Sequence, residues 1–345
     1  MAASGSKKVI YAALGGNFLI ALTKFIAFIM TGSSAMLSEG VHSVVDTGNQ
    51  ILLLYGLRRA GMPADERYPF GHGKEVYFWG FVVAIMIFAV GAGVSIYKGV
   101  HHILHPAAVH NPLLNYIVLA LAMLFEGAAW YFALTEFTKA KGKWGYIQAV
   151  QRGKDPTMFV VLFEDSAAML GIIVAFLGIF LSQITANSVF DGIASIIIGL
   201  ILAGTAAWLA YETKGLLIGE SANREVVRGV REIIIAHDFI RHVNEILTMH
   251  MGPDFILLNV SVDFKDTVPA GELEKAITGL DQEIKQKYPR IKRIFVEAEA
   301  RRAIGGDGQR EIIDAVQERI SNPPPADCKY RIMNIESSSG GQVSK

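Results

Sequence analysis

The sequence predicts an α-helical polytopic membrane protein with six transmembrane helices, followed by a small cytoplasmic α+β domain at the C-terminal end. Three observations carry that prediction. Hydrophobic residues make up 52% of the 345 residues and charged residues only 19%, with a mean hydropathy of +0.36, whereas a soluble globular chain carries about a quarter charged residues. The charges are sparse up to about residue 212 and dense beyond it. Six stretches in the first part approach the ~20 apolar residues that a bilayer requires. The chain thus divides into a six-helix transmembrane domain over 1–212, a cytoplasmic α+β domain over 213–300, and a tail over 301–345 that is predicted to be disordered.

The six stretches are Val9–Met30, Ala35–Leu57, Val76–Lys98, Leu113–Phe137, Met158–Leu181 and Ser188–Tyr211. Six such runs in succession are hard to bury in one soluble core. The first is too long for a signal-peptide core and ends in Thr31-Gly-Ser-Ser34 without a small-residue cleavage motif. No Arg-rich amphipathic presequence precedes it, so organelle import is not indicated and the cell membrane of a prokaryote is the expected location. Loop charge sets the orientation. Lys7 and Lys8 precede the first span, Arg58, Arg59, Arg67 and Lys74 follow the second, and Lys139, Lys141, Lys143, Arg152 and Lys154 follow the fourth. The alternate loops, Thr31–Ser34, Gly99–Pro112 and Ser182–Asn187, contain no Lys or Arg. Both termini are therefore expected in the cytoplasm.

Beyond residue 212 the pattern changes. Arg224–His237 has helical apolar spacing, Ile246–His250 and Phe255–Phe264 read as strands joined at Gly252-Pro253-Asp254, Glu272–Lys287 is amphipathic, and Ile291–Ala298 is a last strand. The order helix–strand–strand–helix–strand predicts a small sheet with helices on one face. The tail is rich in Gly, Ser and Pro, with Pro323-Pro-Pro325, and leaves room for one short helix at Gln309–Ile320. Lys plus Arg and Asp plus Glu both count 32, a balance that argues against a nucleic-acid partner. One cysteine, Cys328, excludes an intrachain disulfide framework and a thiolate zinc site.

The informative residues are ionisable side chains inside apolar helices. A carboxylate in hydrocarbon costs several kcal/mol or changes its protonation, so it needs a reason. The second span holds Glu39, His42 and Asp46. His42 and Asp46 are four apart and share a helix face, which is sound spacing for an imidazole nitrogen and a carboxylate to reach one metal ion. A buried His–Asp pair that locks helices together has the same spacing. Glu39, three before His42, joins that face at the outer end. The fifth span holds Glu164 and Asp165, about 100° apart on the helix. Asp165 can converge with His42 and Asp46 if the second and fifth spans pack together; Glu164 is a fourth ligand, a proton carrier or a residue facing another helix. Glu126 and Lys24 are readable as a structural pair, and Asp191, near a helix start, as a cap. In the loop after the second span, Asp65, His72 and Glu75 surround Gly71-His72-Gly73 and suit either a divalent ion or a tight connection. His101, His102, His105 and His110 lie on the outer side, with His101 and His105 one turn apart.

These residues together resemble a family. Ser38-Glu-Gly-Val-His-Ser-Val-Val-Asp46, the loop Pro69-Phe-Gly-His-Gly73, six spans and a cytoplasmic α+β tail are similar to the cation diffusion facilitators over about residues 8–300. Asp46-Thr-Gly-Asn-Gln50, Tyr77-Phe-Trp79 and Phe163-Glu-Asp-Ser-Ala-Ala168 look like the branch that includes zinc transporter 9. The resemblance implies one tetrahedral site between the second and fifth spans, exchange of metal for protons, and a homodimer whose tails have a metallochaperone-like fold. It implies His42, Asp46 and Asp165 as ligands. Val161 stands where the family's fifth-span histidine would be, so Glu164 or a water completes the set. Tyr68 replaces a histidine common in the family's loop. The tail positions that bind metal in relatives read Asn244, Asn259, Glu297 and Glu299, so the tail is expected to serve dimerisation; His242 and His250 read as surface histidines.

The function so implied is efflux of a divalent metal, zinc first, by proton antiport from the cytoplasm; metal and protons are cargo, and no prosthetic group is implied. One imidazole with two or three carboxylates also suits Mn²⁺, Fe²⁺ and Co²⁺. The rivals are a non-transporting metal-responsive regulator, a passive channel, and a membrane enzyme. An intramembrane metalloprotease would want His-Glu-x-x-His, which is absent.

Overall fold

The computed structural model describes residues 2–106, 112–152 and 156–301. Lys154, His110, the helix expected at Gln309–Ile320 and Cys328 lie outside the described residues.

The N-terminal part is a layer of long helices. α1 spans Ala2–Thr31, α2 Ser34–Ala60, α3 Glu75–Met86, α4 Gly93–Leu104, α5 Pro112–Lys141, α7 Pro156–Thr185 and α8 Val189–Ile218. A short α6, Tyr146–Arg152, sits in the fourth connection, where no helix was expected. Four helical segments, Glu75–Leu104, Leu113–Lys139, Phe159–Thr185 and Val189–Ile218, are long and apolar enough to cross a membrane. The apolar part of α1 runs over Asn17–Thr31. α2 falls short of the criterion for a physical reason. Its buried face carries Ser34, Ser38, Glu39, His42, Ser43, Asp46, Asn49 and Gln50, so polarity is placed where other helices, not lipid, cover it.

The third span is a single helix with a defect. Between α3 and α4 the turn widens into a π-helical segment over Ile87–Ala92, an irregularity common near functional regions. It runs beside α8 at a seam of small residues. A Cβ on Gly199 would lie 3.1 Å from the Ala92 carbonyl oxygen, and one on Gly99 would lie 2.7 Å from the carbonyl oxygen of Gly192. Glycine at these positions lets two backbones approach without a hydrophobic driving force between them.

The first core joins α1, α2, α5, α7 and α8 through Ile20, Met36, Leu53, Leu119, Phe159, Ile172, Ile198 and Leu202, among others. A second core belongs to the C-terminal domain. There α9 (Arg224–Ile235), β1 (Ile240–Gly252), β2 (Phe255–Phe264), α10 (Ala270–Lys287) and β3 (Ile291–Ala298) follow the expected order. β1 pairs antiparallel with β2, and β2 pairs parallel with β3, giving the sheet order β1-β2-β3. α10 supplies the crossover that a parallel pair requires. Leu258, Val260 and Val262 of β2 pack with Val230, Ile233 and Ile234 of α9 and Leu280 and Ile284 of α10. β1 begins six residues before the expected Ile246, and its pairing contains register shifts between Ile240 and His242 and between Val243 and Glu245.

The two domains touch through the loop after α2. A Cβ on Gly73 would collide with the Met251 carbonyl oxygen and lie 3.1 Å from the Gly252 Cα. Lys74 Nζ lies 3.7 Å from Met249 Sδ, and the rings of Phe70 and Phe295 meet edge to face at 6.5 Å. The C-terminal domain therefore sits on the face of the helical layer that carries the basic loops.

Candidate metal centre

α2 bears two polar stripes. His42, Asp46 and Asn49 are spaced i, i+4 and i+7, and Glu39 and Ser43 are four apart, so each set lies along its own strip of the helix. All five are buried. His42 is 1% exposed, with Nδ1 3.2 Å from Asp46 Oδ1. The two are close but not aligned as a hydrogen bond. Neither ring nitrogen of His42, nor Asp46 Oδ1, has a hydrogen-bond partner among the described residues. Unpartnered buried polar atoms are rare and call for an explanation such as a role in binding.

α7 packs against this stripe and contributes Glu164. Asn49 Nδ2 donates to Glu164 Oε1 at 2.6 Å, and the carboxyl groups of Glu164 and Asp46 are neighbours. Of the two adjacent acids on α7, then, Glu164 is the one turned to Asp46. Asp165 is also buried, with Glu164 and Glu126 as its charged neighbours. Among the described residues no three His, Cys, Asp or Glu side chains stand together in a geometry that would hold a metal ion. The structure pairs His42 with Asp46 and sets Glu164 beside Asp46, but these groups and the buried Asp165 do not close on one point.

Glu39 faces elsewhere. It pairs with Lys24 of α1 at 3.0 Å, and Lys24 pairs equally with Glu126 of α5 at 2.9 Å. The expected Lys24–Glu126 pair is present, and Glu39 completes a triad. In the sequence Asn49 and Ser43 stand only inside the motifs Asp46–Gln50 and Ser38–Asp46; the signal that marks them singly is helical spacing from His42, Asp46 and Glu39.

At the end of the helical layer away from the sheet domain, Asp191 corrects an expectation. It does not cap its own helix. Its carboxylate accepts from Ser33 Oγ at 2.6 Å, from the Ser34 backbone N–H at 2.6 Å and from Ser34 Oγ at 2.9 Å, so it caps α2 from α8. His102 Nε2 lies 3.8 Å from the same carboxylate. The His101 and His105 rings stack 4.9 Å apart at the same end of the layer.

In the loop after α2, His72 Nε2 lies 3.4 Å from Asp65 Oδ2, and His72 Nδ1 faces the Pro63 carbonyl oxygen at 3.2 Å. A carbonyl only accepts, so Nδ1 carries the proton and Nε2 is turned to Asp65. Glu75 is turned away: it accepts from Arg59 at 3.1 Å and from Trp79 Nε1 at 2.9 Å. Tyr68, His72 and Lys74 line an open cleft of about 270 Å³ with Phe78 and Leu217, at the junction of the two domains.

On the sheet, Asn244 Nδ2 donates to Ser261 Oγ at 3.1 Å, Ser261 Oγ to Glu299 Oε2 at 2.9 Å, and Asn259 Nδ2 to Glu297 Oε1 at 3.1 Å. Asn244, Asn259, Glu297 and Glu299 are thus tied into hydrogen bonds with one another and with Ser261. His250 is buried rather than on the surface, because it lies near the end of β1, where its backbone N–H donates to the Glu220 carbonyl.

A layer of long helices with ionisable side chains sealed between them, and a small α+β domain on one face, defines an integral membrane protein. Residues 10–218 match the cation efflux transmembrane domain. The chain belongs to the cation efflux family. It is 33% identical over 267 residues to the human protein described as proton-coupled zinc antiporter SLC30A9, mitochondrial, covering 76% of this chain and 47% of that one. It is 29% identical to metal tolerance protein C4 of Arabidopsis thaliana, over 75% of this chain and 57% of that one. To the cation-efflux pump FieF of Pectobacterium atrosepticum it is 26% identical, over 77% of this chain and 83% of the pump. The chain spans about half the length of the zinc antiporters it matches.

Proposed function

We propose that the chain exports a divalent metal cation from the cytoplasm in exchange for protons, with Zn²⁺ as the first substrate. The observation that carries this reading is the buried His42–Asp46 pair, whose ring nitrogens and carboxylate oxygen have no hydrogen-bond partner among the described residues, with Glu164 beside Asp46. His42, Asp46, Asp165 and Glu164 would hold the ion. The metal binds the deprotonated forms of these groups, and a carboxylate sealed among apolar helices is neutralised either by a cation or by a proton. Proton and metal then compete for the same oxygens, which is the minimum that antiport requires. A rocking of the helices that carry the site would expose it to either side in turn. The relatives named for proton-coupled zinc transport and cation efflux support the same assignment. Both termini lie in the cytoplasm, and the protein works as a homodimer in a cell membrane. The helical domain over 1–212, the cytoplasmic domain over 213–300 and the tail form its three parts.

A second reading follows from one observation. Glu164, and no second imidazole, stands beside Asp46, so the donors in this reading are one nitrogen and three carboxylates. That set is harder than two imidazoles and suits Mn²⁺ or Fe²⁺ as well.

The test is metal uptake into proteoliposomes under an imposed proton gradient, with Zn²⁺, Mn²⁺, Fe²⁺, Co²⁺ and Cd²⁺ compared. Gradient-driven flux is expected in the wild type and its loss in Asp46→Ala, with the variant still folded by circular dichroism. Flux that survives Asp46→Ala would overturn the site. No flux of any ion from wild-type protein would favour a regulatory role instead.

A further inference from the structure

The Lys24 triad takes no part in the constellation just described, and its charges do not balance. Lys24 Nζ donates to Glu39 Oε2 at 3.0 Å, Glu126 Oε1 at 2.9 Å and Ser43 Oγ at 2.9 Å, which uses all three of its protons. Lys24 and Glu39 are fully shielded and Glu126 is 4% exposed. Each carboxylate thus gives one oxygen to the ammonium. The other oxygen, Oε1 of Glu39 and Oε2 of Glu126, is buried with no hydrogen-bond partner among the described residues. One ammonium against two carboxylates leaves a surplus negative charge within a membrane layer, which is costly. The titratable groups brought near it by the elements packed here do not relieve the surplus. They are His42 and Asp46 of α2 and Asp165 of α7, with Glu164 behind them; none is a lysine or arginine.

We propose that Lys24, Glu39 and Glu126 form a second intramembrane cation site, that it holds one proton, and that this proton is loaded from the outer side as the metal leaves. A metal ion does not fit the role, because it would share its carboxylates with an ammonium already within hydrogen-bond distance of both. A proton needs only one oxygen, and the cluster offers two. Glu39 is five residues into α2, about 8 Å from that helix's outer end by helical rise, so it is the member nearest the external water. Its free oxygen lies against the backbone of α7 at Gly171, where any side chain would collide with it. In the loading step an O–H bond forms between an external proton and one of these oxygens. In the release step the same bond breaks and the proton leaves to the cytoplasm. No electrons move, and the triad alternates between one negative charge and none.

The loading half of this inference rests on the antiport reading; the proton-holding half does not. Glu126→Gln and Glu39→Gln each leave Lys24 one carboxylate and so preserve the ion pair. In metal-free protein in lipid, the infrared difference between wild type and each single variant should show the loss of one protonated-carboxyl band, a band that Asp46→Asn leaves in place. In proteoliposomes the proton-to-zinc ratio should fall by about one in each variant, with zinc affinity measured by calorimetry unchanged. Difference spectra that show no such loss in either variant overturn the site. A band that vanishes while the ratio stays at the wild-type value shows a proton held permanently and overturns loading. Wild-type protein without proton-coupled flux would sink the antiport reading and the loading step with it, while the infrared comparison still decides whether the triad holds a proton.

Discussion

Val161 stands four residues before Asp165, one turn along α7, half-buried against the helical core. A histidine there would add a second imidazole on the face that carries Asp165. Val161→His is expected to raise zinc transport relative to manganese by roughly tenfold, about 1.4 kcal/mol of discrimination, because a softer nitrogen replaces a carboxylate in the set. Competition uptake of the two ions checks it, and an unchanged ratio would remove Asp165 from the site. The same residue scale explains what could be read in advance. His42, Asp46, Glu164 and Asp165 stood out because each is an ionisable group in an apolar helix, where chance placement is costly. Asn49 and Ser43 did not, since uncharged polar residues are tolerated in such helices without a partner of known identity. The roles of Glu164 and Asp165 could not be separated either. Adjacent residues on one helix point about 100° apart, and which of them meets Asp46 depends on the rotation of α7 against α2, a tertiary choice.

α2 is the element on which both polar clusters depend, and its start is fixed from another helix. Asp191 of α8 satisfies the N-terminal donors of α2 through Ser34 and holds Ser33 and Ser34 by their hydroxyls. Asp191→Ala leaves those donors buried without an acceptor, at a cost of about 1–3 kcal/mol, and is expected to lower the thermal midpoint in detergent while Asp191→Asn recovers part of it. Equal losses in both variants would count against the cap. The α4–α8 seam makes a companion case. Gly99→Ala places a methyl 2.7 Å from the Gly192 carbonyl oxygen, an overpacking worth about 1–3 kcal/mol, whereas Gly204→Ala, with nothing within 4 Å of its Cβ, should be neutral in the same melt. Elements of this kind were legible where periodicity was strong. β2 and β3 begin and end at the expected residues, and the long helices contain the expected spans. The first half of β1 was not, because Ile240–Glu245 is polar and pairs across register shifts, which breaks the alternation that marks a strand. The π segment left no mark either, since Ile87–Ala92 is apolar in either helical form.

Across the whole molecule the helical layer and the sheet domain meet at two glycines, and the loop that links α2 to α3 is the meeting point. Gly73 lies two residues before α3, and Gly252 closes β1. A Cβ on Gly252 would lie 3.0 Å from the Gly73 Cα and 3.3 Å from its carbonyl oxygen, so the backbones are already in contact and neither can yield as a flexible side chain would. The Gly71-His72-Gly73 motif therefore has a mechanical explanation beside a chemical one. Gly71 takes φ +82°, a conformation that side chains disfavour, and Gly73 gives the sheet its seat. Gly252→Ala should open this seam by an amount set by the overpacking it introduces, about 1–3 kcal/mol. The expected result is faster amide exchange at Gly71–Lys74 and at Met249–Gly252, with Leu258 and Val260 in the β2 core as protected as before. If the seam couples tail position to α3, metal uptake in the variant should also slow without loss of zinc affinity. Unchanged exchange at Gly71–Lys74 would mean that the domains are held by Phe70, Phe295 and Lys74 rather than by the glycine contact. Exchange that rose in the β2 core as well would mean that the substitution had loosened the sheet itself.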